Sequence, residues 1–187
     1  HKKIKSKFQN LENLDDLKIF IQERSALVTQ STLYGYLKTR MGLKYTLMFT
    51  DKIFLESVDK AKWNIYVSAL SDCTLFVYSY LISNKKINSE NAKETYFKIL
   101  ETERTNGLPE NVIKESKNSF EQRLKEINWH TFFEENPFKL SGLALYKWSP
   151  IADELKELDK EIVLNSIKNK WNLVIEEFKK RTINFKI

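Results

Sequence analysis

Two opposite charges fall where a helical chain would place its core. With each residue set 100° around a helix axis, Arg24 shares a face with Leu17, Ile21, Leu27 and Val28, and Asp72 shares one with Ile65, Ala69 and Phe76. A charge left alone among apolar side chains is severely destabilising, whereas a hydrogen-bonded pair is tolerated. If the two segments form an antiparallel hairpin turning at Gly42, Arg24 and Asp72 lie within about one helical turn, roughly 5–6 Å of axial offset. The expectation is a buried Arg24–Asp72 ion pair completed by Ser31, Ser68 or a tyrosine hydroxyl. It would act as a structural clamp, or it would present the Arg24 guanidinium to an anionic ligand with Asp72 orienting it.

One turn along the same stripe Ser31 and Gly35 are small, and the hairpin register sets Ala61 opposite them. Small residues on facing helices permit close backbone approach or leave room for a ligand. Tyr34, Tyr36, Arg40, Lys62 and Trp63 surround that crossing as a polar and aromatic rim. Arg24, Ser31, Tyr34, Arg40, Lys62, Trp63 and Asp72 are therefore the candidate ligand-binding residues.

Familiar catalytic patterns are missing. The chain has no Gly-x-Ser-x-Gly elbow, glycine-rich phosphate loop or dinucleotide fingerprint, and each of those needs a strand leading into a helix. Ser31 or Ser71 as a nucleophile would have to borrow His130, the sole internal histidine. Cys73, beside Asp72 in a helix interior, reads as a small buried hydrophobe rather than a reactive thiolate. With one cysteine and two histidines no metal site is expected, the nearest echo being His130 with Glu134 at helical spacing, and no cofactor is implied.

The elements that must position these residues are helical. In 187 residues only four glycines and three prolines interrupt the pattern, and 42% hydrophobic against 30% charged residues suit a globular chain. At that length roughly 70% of the unfolded surface is buried, enough for one core and one domain. The first helix is expected from the cap Asn13, with Asp16 at its third position, to Met41, where Gly42 stops it. A link, Leu43 to Thr50, leads into a second long helix over about Asp51 to Ile82. A third runs from the cap Ser89 to about Thr105, and a fourth begins near Pro109. Residues 128–148, rich in aromatic rings, read as an irregular lid. Ser149-Pro150 would open a short helix, Ile151 to Leu158, and Asp159 would cap a final helix reaching about Arg181. The fold class is all-α, an antiparallel bundle of five to six helices built on the N-terminal hairpin.

The net charge of +6 is unevenly placed: residues 1–10 carry +4, residues 138–187 carry +3, and the rest is close to neutral. Residues 1–12 read as a basic, frayed start, and charge confined to the ends makes nucleic-acid binding the third-ranked function. The apolar stretch from Ile65 to Ile82 holds Ser68, Ser71, Asp72 and Thr74, which argues against a membrane span, and the charged start has no signal-peptide core. Lysine outnumbers arginine 26 to 5, so each of Arg24, Arg40, Arg104, Arg123 and Arg181 marks a place where a planar, bidentate donor is worth keeping.

Three stretches carry a resemblance: residues 29–42 (TQSTLYGYLKTRMG), Ala61-Lys62-Trp63 with Ser71-Asp72, and residues 148–155 (WSPIADEL) followed by Asp159-Lys160-Glu161-Ile162-Val163. Together they resemble a family of uncharacterised alphaproteobacterial all-helical proteins of about this length, some labelled esterases although no hydrolase motif is present. The resemblance implies a bacterial, cytoplasmic setting and no mechanism. The leading expectation is a non-catalytic binding or assembly protein that meets a protein partner. The alternative is a small-molecule or anion site, which could be hydrolytic, between the first two helices around Arg24 and Asp72.

Overall fold

The computed structural model describes residues 9–88 and 91–187. Local capping chemistry sets the hairpin. Asn13 accepts the Asp16 amide on its side chain at 2.9 Å, and the Asp16 carboxylate accepts the amide of Glu12, the residue before the cap, so two local bonds start α1, Leu14–Met41. Gly42 ends it with a φ of 54°, a conformation costly for any residue with a Cβ. The nine-residue 3-10 segment Gly42–Thr50 follows, and the Asp51 side chain then caps α2, Lys52–Ser83, by accepting the Phe54 amide at 3.0 Å. The remaining helices are α3 (Asn91–Thr105), α4 (Glu110–Glu126), α5 (Lys139–Trp148) and α6 (Asp153–Arg181). The expected cap Ser89 lies outside the described residues.

α2 is the axis of the bundle. From Ile65 to Leu81 all of its residues except Ser68 and Tyr80 are buried, because α1, α3, α4 and α5 cover it on every side. It is long and apolar enough to cross a membrane, but 83% of its most apolar stretch is enclosed by the other helices. α5 is wedged between α2 and α6, and α6 returns along α1. Where α1, α2, α5 and α6 converge the core is aromatic. Phe138 stacks on Trp171 with centroids 4.0 Å apart, and Phe76 meets Phe138 at 5.2 Å and Phe178 at 5.6 Å.

The second half of the chain corrects three expectations. Residues 128–148 are only partly irregular, since a 3-10 turn, Phe132–Glu134, leads directly into α5. Ser149 does not open a helix; its hydroxyl donates to the Leu145 carbonyl at 2.6 Å and closes α5. Asp159 is no cap, because the chain is helical without a break from Asp153 to Arg181 and the Asp159 carboxylate is engaged by Arg40 and Tyr36 instead. Nor are residues 9–12 frayed: the Leu11 amide donates to Arg181 O at 2.9 Å, Arg181 Nε donates to Gln9 O, and Leu11 is buried. Residues 1–8 lie outside the described residues.

Candidate functional site

The buried ion pair exists, with a different cation. Asp72 is fully buried, and its partner is Arg123 of α4, whose Nη2 stands 2.9 Å from Oδ1. The Ser141 amide of α5 donates to Asp72 Oδ2 at 2.8 Å, and Arg123 Nη1 donates to Ser71 Oγ at 2.6 Å. Ser141 Oγ in turn accepts the indole N–H of Trp171 at 2.9 Å. The network thus links α2, α4, α5 and α6. Burial pushes the Asp72 carboxyl up to about 6, outweighing the attraction of Arg123.

Arg24 does not reach Asp72, which corrects the expected pairing. Its Nη2 donates to Glu177 of α6 at 2.9 Å, and Arg181 shares that same carboxylate. The reason is geometric. On a helix buried all round, an apolar stripe does not say which neighbour a polar residue faces, and Asp72 faces α4 and α5. Leu27, placed in the Arg24 stripe from sequence, is exposed, so the true apolar face of α1 lies to one side of Arg24. Arg24 and Asp72 are thus held by separate partners, Glu177 and Arg123.

The other candidates divide between two flanks of α1. Ser31, Arg40 and the neighbouring Gly35 and Tyr36 line a cavity of about 220 Å³ against α6, closed by Asp159, Val163 and Leu145. Ala61 is not what Ser31 and Gly35 face. A Cβ placed on Gly35 would have no atom within 4 Å, so this glycine leaves room instead of permitting close contact. Arg40 grips Asp159 with Nε and Nη2, one on each carboxylate oxygen, and the Tyr36 hydroxyl donates to Oδ2 at 2.8 Å. The Arg40 hydrogen bonds hold the Asp159 carboxyl below its usual range, while burial and the neighbouring carboxylate push the Tyr36 phenol up to about 12. The polar end of the cavity is therefore internally neutralised. Lys62 and Trp63 line a separate cavity against α3, with Lys62 Nζ 2.8 Å from Asp59. Tyr34 is half-buried against the core and lines neither.

Sequence reasoning overlooked the surface around the first cavity. The Arg40–Asp159 and Arg24–Glu177 pairs fix α1 and α6 antiparallel, in a register that sets Leu158 level with Met41 at the end of α1. At that end of the bundle Leu43 (100%), Ile53 (79%), Leu158 (77%) and Ile162 (72%) are exposed, joined by Leu47, Phe49 and Leu155. These seven are half of the fourteen large apolar side chains exposed among the described residues, and Leu155, Leu158 and Ile162 follow at three- and four-residue steps along one face of α6. The readable signal was the apolar linker Leu43–Phe49 between two capped helices.

Nucleophilic chemistry finds no support in the geometry. Ser31 Oγ donates to Val28 O, Ser71 Oγ accepts from Arg123, and neither bonds to His130. Cys73 is fully buried, and burial pushes its thiol up to about 12, far from a thiolate at neutral pH. Among the described residues no three of His, Cys, Asp and Glu cluster to hold a metal. The chain matches no protein-family model, no curated protein and no solved structure.

Proposed function

We propose that this chain is a non-catalytic binding protein, of the kind expected in a bacterial cytoplasm, that docks an amphipathic helix of a protein partner against the hairpin end of the α1–α6 seam. The observation that carries this reading is the Gly35 cavity opening beside exposed Leu158 and Ile162. An apolar anchor side chain filling a pocket, surrounded by flatter apolar contact, is the ordinary economy of helix-in-groove recognition. The neutralised Arg40–Asp159 pair favours an uncharged anchor over an anion.

Charge selects among macromolecules. Lys38, Lys44 and Lys52 on the hairpin and Lys156 and Lys160 on α6 are interspersed with Asp51, Asp153, Glu154 and Glu157, a mixed-sign set that suits a protein surface better than an anionic lipid or a nucleic acid. The test is selection of helical peptides from a displayed library on the full chain, followed by titration of the winners against Gly35→Leu and Leu158→Glu. The expected result is selected peptides with apolar residues at three- and four-residue spacing whose affinity falls at least tenfold in both variants while the melting temperature holds. Peptides indifferent to Gly35→Leu, or vesicle binding abolished by Leu158→Glu without any peptide binding, would overturn the reading.

A further inference from the structure

The cavity of about 210 Å³ between α1, α2 and the end of α3 is lined by Thr29, whose buried hydroxyl has no partner among the described residues, and by Glu103, a nearly buried carboxylate whose donors are all neutral. The geometry points to a binding site for a small zwitterion such as a free amino acid, with its ammonium on the Glu103 carboxylate and its anionic end toward Lys62.

Glu103 is only 8% exposed, yet every donor it receives is neutral. Oε1 accepts from Gln22 Nε2 at 3.2 Å and from the Tyr66 hydroxyl at 3.0 Å, and Oε2 accepts from Asn106 Nδ2 at 3.2 Å. Among the described residues no lysine, arginine or histidine comes within salt-bridge distance of it. A carboxylate has about four acceptor positions, so three neutral donors leave roughly one position open and the negative charge unanswered. The second group is the Thr29 hydroxyl, 1% exposed, lining the same cavity with no partner among the described residues. An ammonium group meets both demands, since it brings a positive charge and three donors to a place where one acceptor and one hydroxyl wait.

The walls narrow the chemical class. Trp63 and Tyr66 offer aromatic faces, which attract a desolvated cation. Lys62 lies at the same cavity with Nζ 4.8 Å from the Trp63 ring centroid and 2.8 Å from Asp59; that i,i+3 pair is partly exposed and weak, so an anion on the far end of the ligand can take the place of Asp59, while the positive charge opposes a simple polyamine. The volume falls below the roughly 300–1,000 Å³ of pockets for drug-sized ligands, which limits the occupant to a molecule of amino-acid size. None of these residues belongs to the Gly35 groove, so the two sites stand or fall separately.

The experiment is a titration of the full chain followed through the Trp63 indole N–H resonance, using glycine, alanine, leucine and γ-aminobutyrate, with alkylamines and alkyl carboxylates of matching size as controls. Saturable binding of one or more zwitterions is expected, weakened at least tenfold by Glu103→Gln and several-fold by Lys62→Met and by Thr29→Val. Thr29→Val replaces a hydroxyl with a methyl of the same shape, so it keeps the test alive should Glu103→Gln disturb the fold. Equal affinity for the matching alkylamine, unchanged binding in Glu103→Gln, or no saturation by about 20 mM, a regime weaker than about −2.3 kcal/mol, would overturn the assignment.

Discussion

Replacing Arg123 with methionine isolates the charge on Asp72. In the native protein that carboxyl titrates near 6 rather than the usual 3.8, so the native state holds its proton more tightly than the unfolded chain does. The sign follows from linkage: the stability tied to this group is fully present below about pH 4, is lost as pH rises toward 6, and changes no further above it. Without Arg123 the carboxylate keeps only the Ser141 amide, its pKa climbs past neutrality, and the loss continues above pH 6 at about 1.4 kcal/mol per pH unit. At pH 7.5 the charge component of Arg123→Met is thus about 2 kcal/mol, and at pH 5 it is near zero. Lost contacts of the guanidinium with Ser71 and the Phe132 ring bring the total at pH 7.5 toward about 3–5 kcal/mol. Urea melts followed by circular dichroism at both pH values, on Arg123→Met, Asp72→Leu and the double variant, measure this as a coupling energy. A coupling that is the same at pH 5 and pH 7.5 would refute the reasoning, and so would a larger coupling of Asp72 to Arg24 than to Arg123.

Other perturbations separate the remaining contacts. Arg24→Met should lose about 1 kcal/mol and combine additively with Asp72→Leu, while coupling to Glu177→Gln in the same urea melts. Gly35→Ala should raise stability by up to about 1 kcal/mol, because an added methyl meets no atom and helix propensity improves; a lowered melting temperature would mean that the cavity is not open. Cys73 should resist iodoacetamide in the native protein and react only as fast as the chain unfolds, read by mass spectrometry across a urea series. Arg40→Lys keeps the charge and loses the fork on Asp159, so it should change the melting temperature slightly but weaken peptide binding at the Gly35 groove by about tenfold.

The two ends of α1 were legible because their caps are local events, whereas Ser149, equally local, closes α5 instead of opening a helix. Asn13 with Asp16, and Gly42, act over three or four residues, and each appears where the sequence puts it. Asp159 misled for the converse reason, since a carboxylate in a helical stretch looks the same whether it caps an amide nearby or receives Arg40 from another helix 119 positions away. The direction of Asp72 was illegible because periodicity reports one face, and α2 has no exposed face along its middle. Glu103 was legible in principle: it follows Tyr96, Ile99 and Leu100 at seven, four and three residues, the same intrusion of charge into an apolar stripe that drew attention to Arg24.

Arginine usage ties these pieces together. All five arginines make an ion pair: Arg24 and Arg181 share Glu177, Arg40 holds Asp159, Arg104 joins Glu101 and Glu110, and Arg123 holds Asp72. All five connect separate helices or tie the chain start to α6, so in a lysine-rich background the guanidiniums are spent on fixing helix register. A guanidinium already committed in two or three directions is a poor receptor for a diffusing anion, because binding would first break the native pair. Recognition is then left to lysines, apolar side chains and the buried polar groups whose demands remain unmet. On that division the proposed binding falls at the Gly35 groove and the Glu103 cavity, and Arg24, held by Glu177, does not pair with Asp72, held by Arg123.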